Sequence, residues 1–307
     1  MKIFSNLLST FFLVFFLSYL FQNPDTFDIL FNIAYSHIVL LVLIKFLTLL
    51  LNAFFNKKIV EAFNVDLGRL ESLYIGSITY LGNLFLPGRL GGSLRLVYFK
   101  KIYKIKTFYL VSIFGYFFVV SLFINSIFGI LSLVFIGTAT SYVSVIWFFL
   151  FGILFFITLY LLIKKFQINA TNTNIKFLNK IFSSLQSSKE GWNKITKFPG
   201  LNFKLISIYF LNYLLFLLEI YLIFIFVGGF LQIENVIFYN SISVFSGLVG
   251  ITPGALGIKE TLLLISYELL NINSQKLIEV ILIERVISII FTIIPLALST
   301  IFNKINK

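Results

Sequence analysis

Residues 82–101 read GNLFLPGRLGGSLRLVYFKK, and residues 247–265 read GLVGITPGALGIKETLLLI. Setting Pro87 on Pro253 also sets Gly88 on Gly254, Leu90 on Leu256 and Gly91 on Gly257, and Ser77 falls on Ser243. P-G-x-L-G thus occurs twice, offset by 166 residues, in a chain with five prolines in all. Proline removes a backbone donor and clashes with the preceding turn, and glycine tolerates positive φ, so together they stop a helix. Inside an apolar stretch the freed backbone groups have to face protein or water rather than lipid. The run before each break is roughly 15–18 residues, short of the ~20 that cross a bilayer. Each motif is therefore predicted to be a re-entrant helix pair, at 70–100 and at 236–271. The plain alternative is two unrelated kinks, since short matches are cheap in biased sequence.

The rest of the chain supplies the membrane context. Of 307 residues, 59% are hydrophobic and 12% charged, and the mean hydropathy is +1.00. Soluble domains carry about 25% charged residues, so a soluble enzyme, a disordered chain and a coiled coil are excluded. Apolar runs at 3–21, 29–55, 107–136, 142–163, 203–227 and 277–302 predict about six full spans. The first run is followed by Gln22-Asn23-Pro24-Asp25 and not by a small-x-small site, so it is expected to be an uncleaved span.

The net charge is +12, and the lysines are not spread evenly. They gather at 56–58, 100–106, 164–204 and the C-terminal tail, and are missing from 22–28, 137–141 and 228–235. That alternation is the positive-inside rule and not a nucleic-acid surface. It puts both termini in the cytoplasm. It also makes the first motif enter from the cytoplasmic side and the second from the outside. Two similar motifs of opposite orientation are the mark of an inverted-repeat transporter, with its site where the broken helices meet. Within the 164–204 loop, Leu178, Ile181, Phe182, Leu185 and Trp192 share one helical face, predicting an amphipathic helix on the inner leaflet. A partner-binding helix has the same pattern.

The catalytic inventory is thin. Cysteine is absent, His37 is the one histidine, and aspartate occurs only at 25, 28 and 66. No thiolate or His-cluster metal site and no Walker motif is present, so neither a metal nor a cofactor is expected. Four arginines occur, and two of them, Arg89 and Arg95, lie in the first motif. Guanidinium forks suit phosphate oxygens, and Arg89 directly follows Pro87-Gly88, where it is expected to read a phosphate. Arg95 either joins it or snorkels to the surface. Lys259 and Glu260 sit in the second motif, Glu284 and Arg285 in the last span, and Glu219 mid-way along the fifth. Ionisable groups at mid-bilayer cost at least ~2.5 kcal/mol and are functional by default. The expected pairs are Glu260 or Glu219 with Arg285 or Arg89, which could equally be structural. Lys45 could pair with a nearby acid, and His37 is more often a packing residue than a ligand.

The residues N-L-F-L-P-G-R-L-G at 83–91, with Arg95 and the Tyr-Phe-Lys-Lys run after it, resemble the first signature of the lysylphosphatidylglycerol synthase transmembrane region, a flippase-like domain family. T-P-G-A-L-G-I-K-E at 252–260 resembles its second signature, often P-G-G-L-G-x-R-E. Glu284-Arg285 and the apolar run to Pro295 resemble its final helix. The departures are Gly92 where the family often has Asp, Ala255 for Gly and Lys259 for Arg. The resemblance implies a domain that moves lipids between leaflets. The larger members add a soluble aminoacyl-transferase domain, which is not expected in a chain ending at Lys307.

The combined expectation is an all-α integral membrane protein, a single flippase-like domain over 1–307. It has about six full spans and two re-entrant pairs forming an inverted repeat. The first half is 1–163, the cytoplasmic loop 164–204 and the second half 205–307. An anionic phospholipid or polyprenyl-linked lipid would bind through Asn83, Pro87, Gly88, Arg89, Gly91, Arg95, Pro253, Gly254, Gly257, Lys259, Glu260 and Arg285. Glu219 and Glu284 would serve as a coupling or ion-pair set. No catalytic residue is expected, and the alternatives are a lipid-modifying enzyme, with Glu260 and Glu284 as its acid-base pair, or a scaffold. The expected setting is the cytoplasmic (inner) membrane, the expected partners are lipid and bilayer without nucleic acid, and a homo-oligomer is left open.

Overall fold

The computed structural model describes residues 33–86, 90–137, 142–163, 189–229, 231–249 and 252–305, and among these there is no strand. The helices are α1 (Tyr35–Glu61), α2 (Arg69–Phe85), α3 (Leu90–Tyr103), α4 (Thr107–Ile136), α5 (Tyr142–Ile163), α6 (Pro199–Phe226), α7 (Ile233–Val249), α8 (Ile258–Ile265), α9 (Ser274–Phe291) and α10 (Ile293–Ile305). Of these, α1, α4, α5 and α6 are long and apolar enough to cross a membrane. The expected first span, 3–21, lies outside the described residues.

Local sequence explains the ends. Pro199 opens α6 at its first turn, where the missing N–H would have no partner anyway. The span therefore begins inside the stretch read as the 164–204 loop. It closes at Gly228, φ +71°, with Gly228 N–H donating to Ile225 O (3.0 Å) and Gly229 N–H to Phe224 O (2.9 Å), a Schellman pair. The last span differs from expectation. It breaks at Thr292 into α9 and α10, because Pro295 cannot donate to the carbonyl of Phe291 and its ring crowds that turn.

α1 and α6 lie antiparallel in close register. His37 stacks on Phe226 at 3.6 Å, Lys45 pairs with Glu219, and Asn212 Nδ2 donates to Asn52 Oδ1 at 3.2 Å. His37 is thus a packing residue. α2 and α3 form an antiparallel hairpin. Its open end is held by Glu71, which accepts from Tyr98 (2.7 Å) and Tyr103 (2.6 Å). Nearer the turn, Gly82 and Gly91 let the backbones meet. A Cβ on Gly82 would lie 2.5 Å from Gly91 Cα, and one on Gly91 only 2.1 Å from Thr79 O.

α7 and α8 form the second hairpin, with a shorter return arm of eight residues against fourteen in α3. Trp147 of α5 spans its open end, donating from Nε1 to Ser266 Oγ at 2.9 Å while its ring meets Phe238 edge-on.

The two hairpins enter the bundle from opposite ends. The open end of α2–α3 lies beside the far end of α10, where Tyr74 stacks on Phe302 at 4.4 Å. The open end of α7–α8 lies by the start of α9, whose Lys276 Nζ donates to Gly228 O. Two apolar clusters follow this division. One is built on Phe55, Phe99, Tyr116 and Trp192, the other on Leu41, Trp147, Phe224, Tyr239 and Ile281. Trp192 belongs to a helical stretch at 189–196 whose apolar side packs on α4, with Trp192 against Tyr116. Leu178, Ile181, Phe182 and Leu185 lie outside the described residues.

Candidate ligand cavity and buried charge network

Between the two apolar clusters lies a cavity of ≈ 270 Å³ with both polar and phenyl walls. Its wall is drawn from both motifs. Thr79, Tyr80 and Asn83 of α2 and Gly92 and Arg95 of α3 come from the first, and Gly247, Thr252, Gly254 and Ala255 from the second. Asn52 and Asn56 of α1, Asn212 of α6 and a phenyl wall from α4, including Phe114 and Phe117, complete it. The motifs also touch directly, since a Cβ on Gly254 would meet Leu84 O at 3.4 Å.

Arg95 does not snorkel. It is 3% exposed, donates from Nη1 to Asn56 Oδ1 and lies 5.5 Å from the Phe117 ring centroid. Its Nε is buried without a hydrogen-bond partner, and no carboxylate of the described residues lies within ion-pair distance. Asn83 Oδ1, on the same cavity, is likewise buried and without a partner. Burying polar groups unpaired costs on the order of 1–3 kcal/mol each. A cation and an amide held this way on one cavity mark a place where a ligand group can bind.

The other intramembrane charges have different occupations. Lys45 Nζ lies 2.7 Å from a Glu219 oxygen, both ends buried. Glu219 therefore pairs with Lys45 and not with Arg285. Lys259 pairs with Glu284, which also accepts from Tyr239 at 3.2 Å. Arg285 grips Glu260 Oε1 through Nη2 (2.8 Å) and Nε (3.2 Å). Its Nη1 donates to the carbonyl of Gly254 at 2.6 Å. Glu260 Oε2 accepts from Gly257 N–H at 2.7 Å. The Glu260–Arg285 pair expected from the sequence is present, and its work is local. It satisfies the carbonyl and the N–H set free where the second helix breaks, at backbone with φ of +55° at Gly254, +56° at Ala255 and +81° at Gly257.

The site residues expected from sequence are thus divided. Asn83, Arg95 and Gly254 line the cavity. Gly91 and Gly257 serve the backbone, one at a helix crossing and one at a helix start. Lys259, Glu260, Glu284, Arg285 and Glu219 are held in ion pairs, and the 3-10 turn that Pro253 opens carries Gly254 and Ala255. Pro87, Gly88 and Arg89 lie outside the described residues, and with them the expectation for Arg89. The sequence reading passed over Asn52, Asn56, Asn212 and Tyr80. The available signal was Asn52 and Asn56 at i, i+4 in the apolar run LLLNAFFN. Amides one turn apart share a helix face, and in such a run they need hydrogen-bond partners.

A cavity with polar groups on its wall, where two helical hairpins meet inside a bundle of long apolar helices, fits an all-α integral membrane protein. The chain belongs to the family described as the lysylphosphatidylglycerol synthase TM region, which matches residues 3–295. Comparison with curated proteins returned no match.

Proposed function

We propose that the protein moves an anionic lipid between leaflets, with the head group held in the cavity where the two hairpins end. The observation that carries this reading is Arg95, a buried guanidinium on the cavity wall with an open Nε and no carboxylate partner among the described residues. A phosphate oxygen would complete it through a charge-assisted hydrogen bond. The two hairpins act as re-entrant halves of an inverted repeat, each opening to one side of the membrane, and membership of the family is compatible with that role. The basic loops then lie in the cytoplasm, with both termini, at the cytoplasmic membrane.

Transport suits the site better than catalysis. Glu260 and Glu284, the acid-base pair an enzyme would need, are both engaged in ion pairs. The test is transbilayer movement of fluorescent phosphatidylglycerol in proteoliposomes. Arg95→Ala is expected to slow it roughly ten- to a hundredfold, the loss of a ~1.5–3 kcal/mol charged hydrogen bond. Arg95→Lys restores part, because it keeps the charge and loses the planar fork. Wild-type rates in Arg95→Ala protein that purifies normally would remove the cavity from the transport path.

A further inference from the structure

The cavity also carries information about which head group it takes. Three cations of the described interior, Lys45 and Lys259, which are buried, and Arg285, which is partly so, each meet a carboxylate, and the three pairs balance. Arg95 is left over, and it faces the cavity. The remaining polar lining is neutral. It is made of the amides of Asn52, Asn56, Asn83 and Asn212 and the hydroxyls of Thr79 and Tyr80, and no Asp or Glu of the described residues lines it.

The surroundings of Arg95 keep it so. Gly92 stands three residues before it on α3, on the same helical face and the same cavity wall. The ring of Phe114 fills the space a side chain would take, since a Cβ on Gly92 would come within 2.4 Å of Phe114 Cε2. A carboxylate side chain at this position, one turn from Arg95, would need the space the phenyl ring takes.

We propose that the cavity selects a phosphodiester head group whose remaining part is uncharged and hydroxylated, as in a glycerol phosphodiester, and discriminates against head groups bearing an ammonium. This rests on the lipid reading above. The phosphate charge meets Arg95. Amides and hydroxyls, each able to donate and accept, match polyol hydroxyls. An ammonium would enter a low-dielectric space beside a guanidinium with no carboxylate to receive it, and both effects act against it. The cavity volume of ≈ 270 Å³ leaves room for a phosphate and a short polyol.

The experiment is binding, separate from transport. The purified full chain in detergent is titrated with phosphatidylglycerol, its lysyl ester and phosphatidylethanolamine, and bound lipid is read by native mass spectrometry. Phosphatidylglycerol is expected to bind at least tenfold more tightly than either amine-bearing lipid. Asn56→Asp is close to isosteric and puts a carboxylate on the atom Arg95 already contacts. It should weaken phosphatidylglycerol at least tenfold while leaving the lysyl ester unchanged or tighter. Asn83→Asp gives a second carboxylate on the same wall if the first variant does not purify. Equal or tighter binding of the lysyl ester by the wild type overturns the proposal. So does a preference that survives the carboxylate. Selective binding without transbilayer movement would sink the transport reading and leave this one standing, whereas movement without selectivity does the reverse.

Discussion

Lys45 and Glu219 show what a single buried charge demands of its neighbours. They sit inside α1 and α6, at 8% and 1% exposure, and each is the other's reason for being tolerated. Removing one member of such a pair strands the other and costs about 3–5 kcal/mol, whereas replacing both by apolar groups of similar volume is often neutral. Glu219→Ala is accordingly expected to lower the melting temperature in detergent sharply. Lys45→Met combined with Glu219→Leu should recover most of the loss. A double variant as unstable as the single one would give the pair a role beyond mutual neutralisation. Arg95 is the opposite case. Its hydrogen bond to Asn56 and its approach to Phe117 hold it in place without neutralising it. A residue that is buried, charged and uncompensated is costly to keep, and the cavity beside it is where that cost can be offset by a ligand.

The elements that matter most are the two hairpins, and they are held by different means. The α2–α3 pair depends on the absence of side chains at its crossing, because Gly91 faces the carbonyl of Thr79 and the N–H of Asn83. Backbone cannot move aside as a side chain can, so Gly91→Ala is expected to destabilise by about 1–3 kcal/mol, the usual range for overpacking. Gly152 on α5 is the control. Nothing stands within 4 Å of a Cβ there, so Gly152→Ala should be neutral or slightly stabilising. Thermal melts in detergent separate the two. Equal melting of both variants would show that the crossing is looser than the backbone contact implies. The α7–α8 hairpin relies instead on polar stapling. Arg285 and Glu260 take up the carbonyl of Gly254 and the N–H of Gly257, which is why residues resembling a ligand set in the sequence are spent on the fold.

Across the whole molecule, the hairpins point inward from opposite ends and finish at one cavity, between two apolar clusters that each cover one end of the bundle. The proposed topology, read from the lysine distribution, puts those ends on opposite sides of the membrane. The chain has no cysteine, so single cysteines can report on sidedness. Lys101, at the open end of the first hairpin, and Gln232, just before α7, are both exposed. Lys101→Cys should react with an impermeant maleimide only from the cytoplasmic side, and Gln232→Cys only from outside. Labelling of both from one side would end the opposed orientation of the hairpins in the membrane, and with it the inverted-repeat reading.

Much of this architecture is legible from residue order alone. Long apolar runs must become helices in lipid, because no other local structure satisfies every backbone group. Pro-Gly must interrupt two of those runs, and proline at 199 and 295 sets where α6 begins and the last helix kinks. Which charge meets which is not local information. Glu219 and Lys45 are separated by more than half the chain, and their meeting follows from the antiparallel register of α1 and α6. The same holds for the cavity wall. Asn56 and Arg95 come from different helices, and a hydrophobic pattern records only that each helix is buried, not what its polar atoms face. Pairing leaves Arg95 as the unmatched cation among the described interior charges, because neutralisation depends on distances that only the packed bundle supplies.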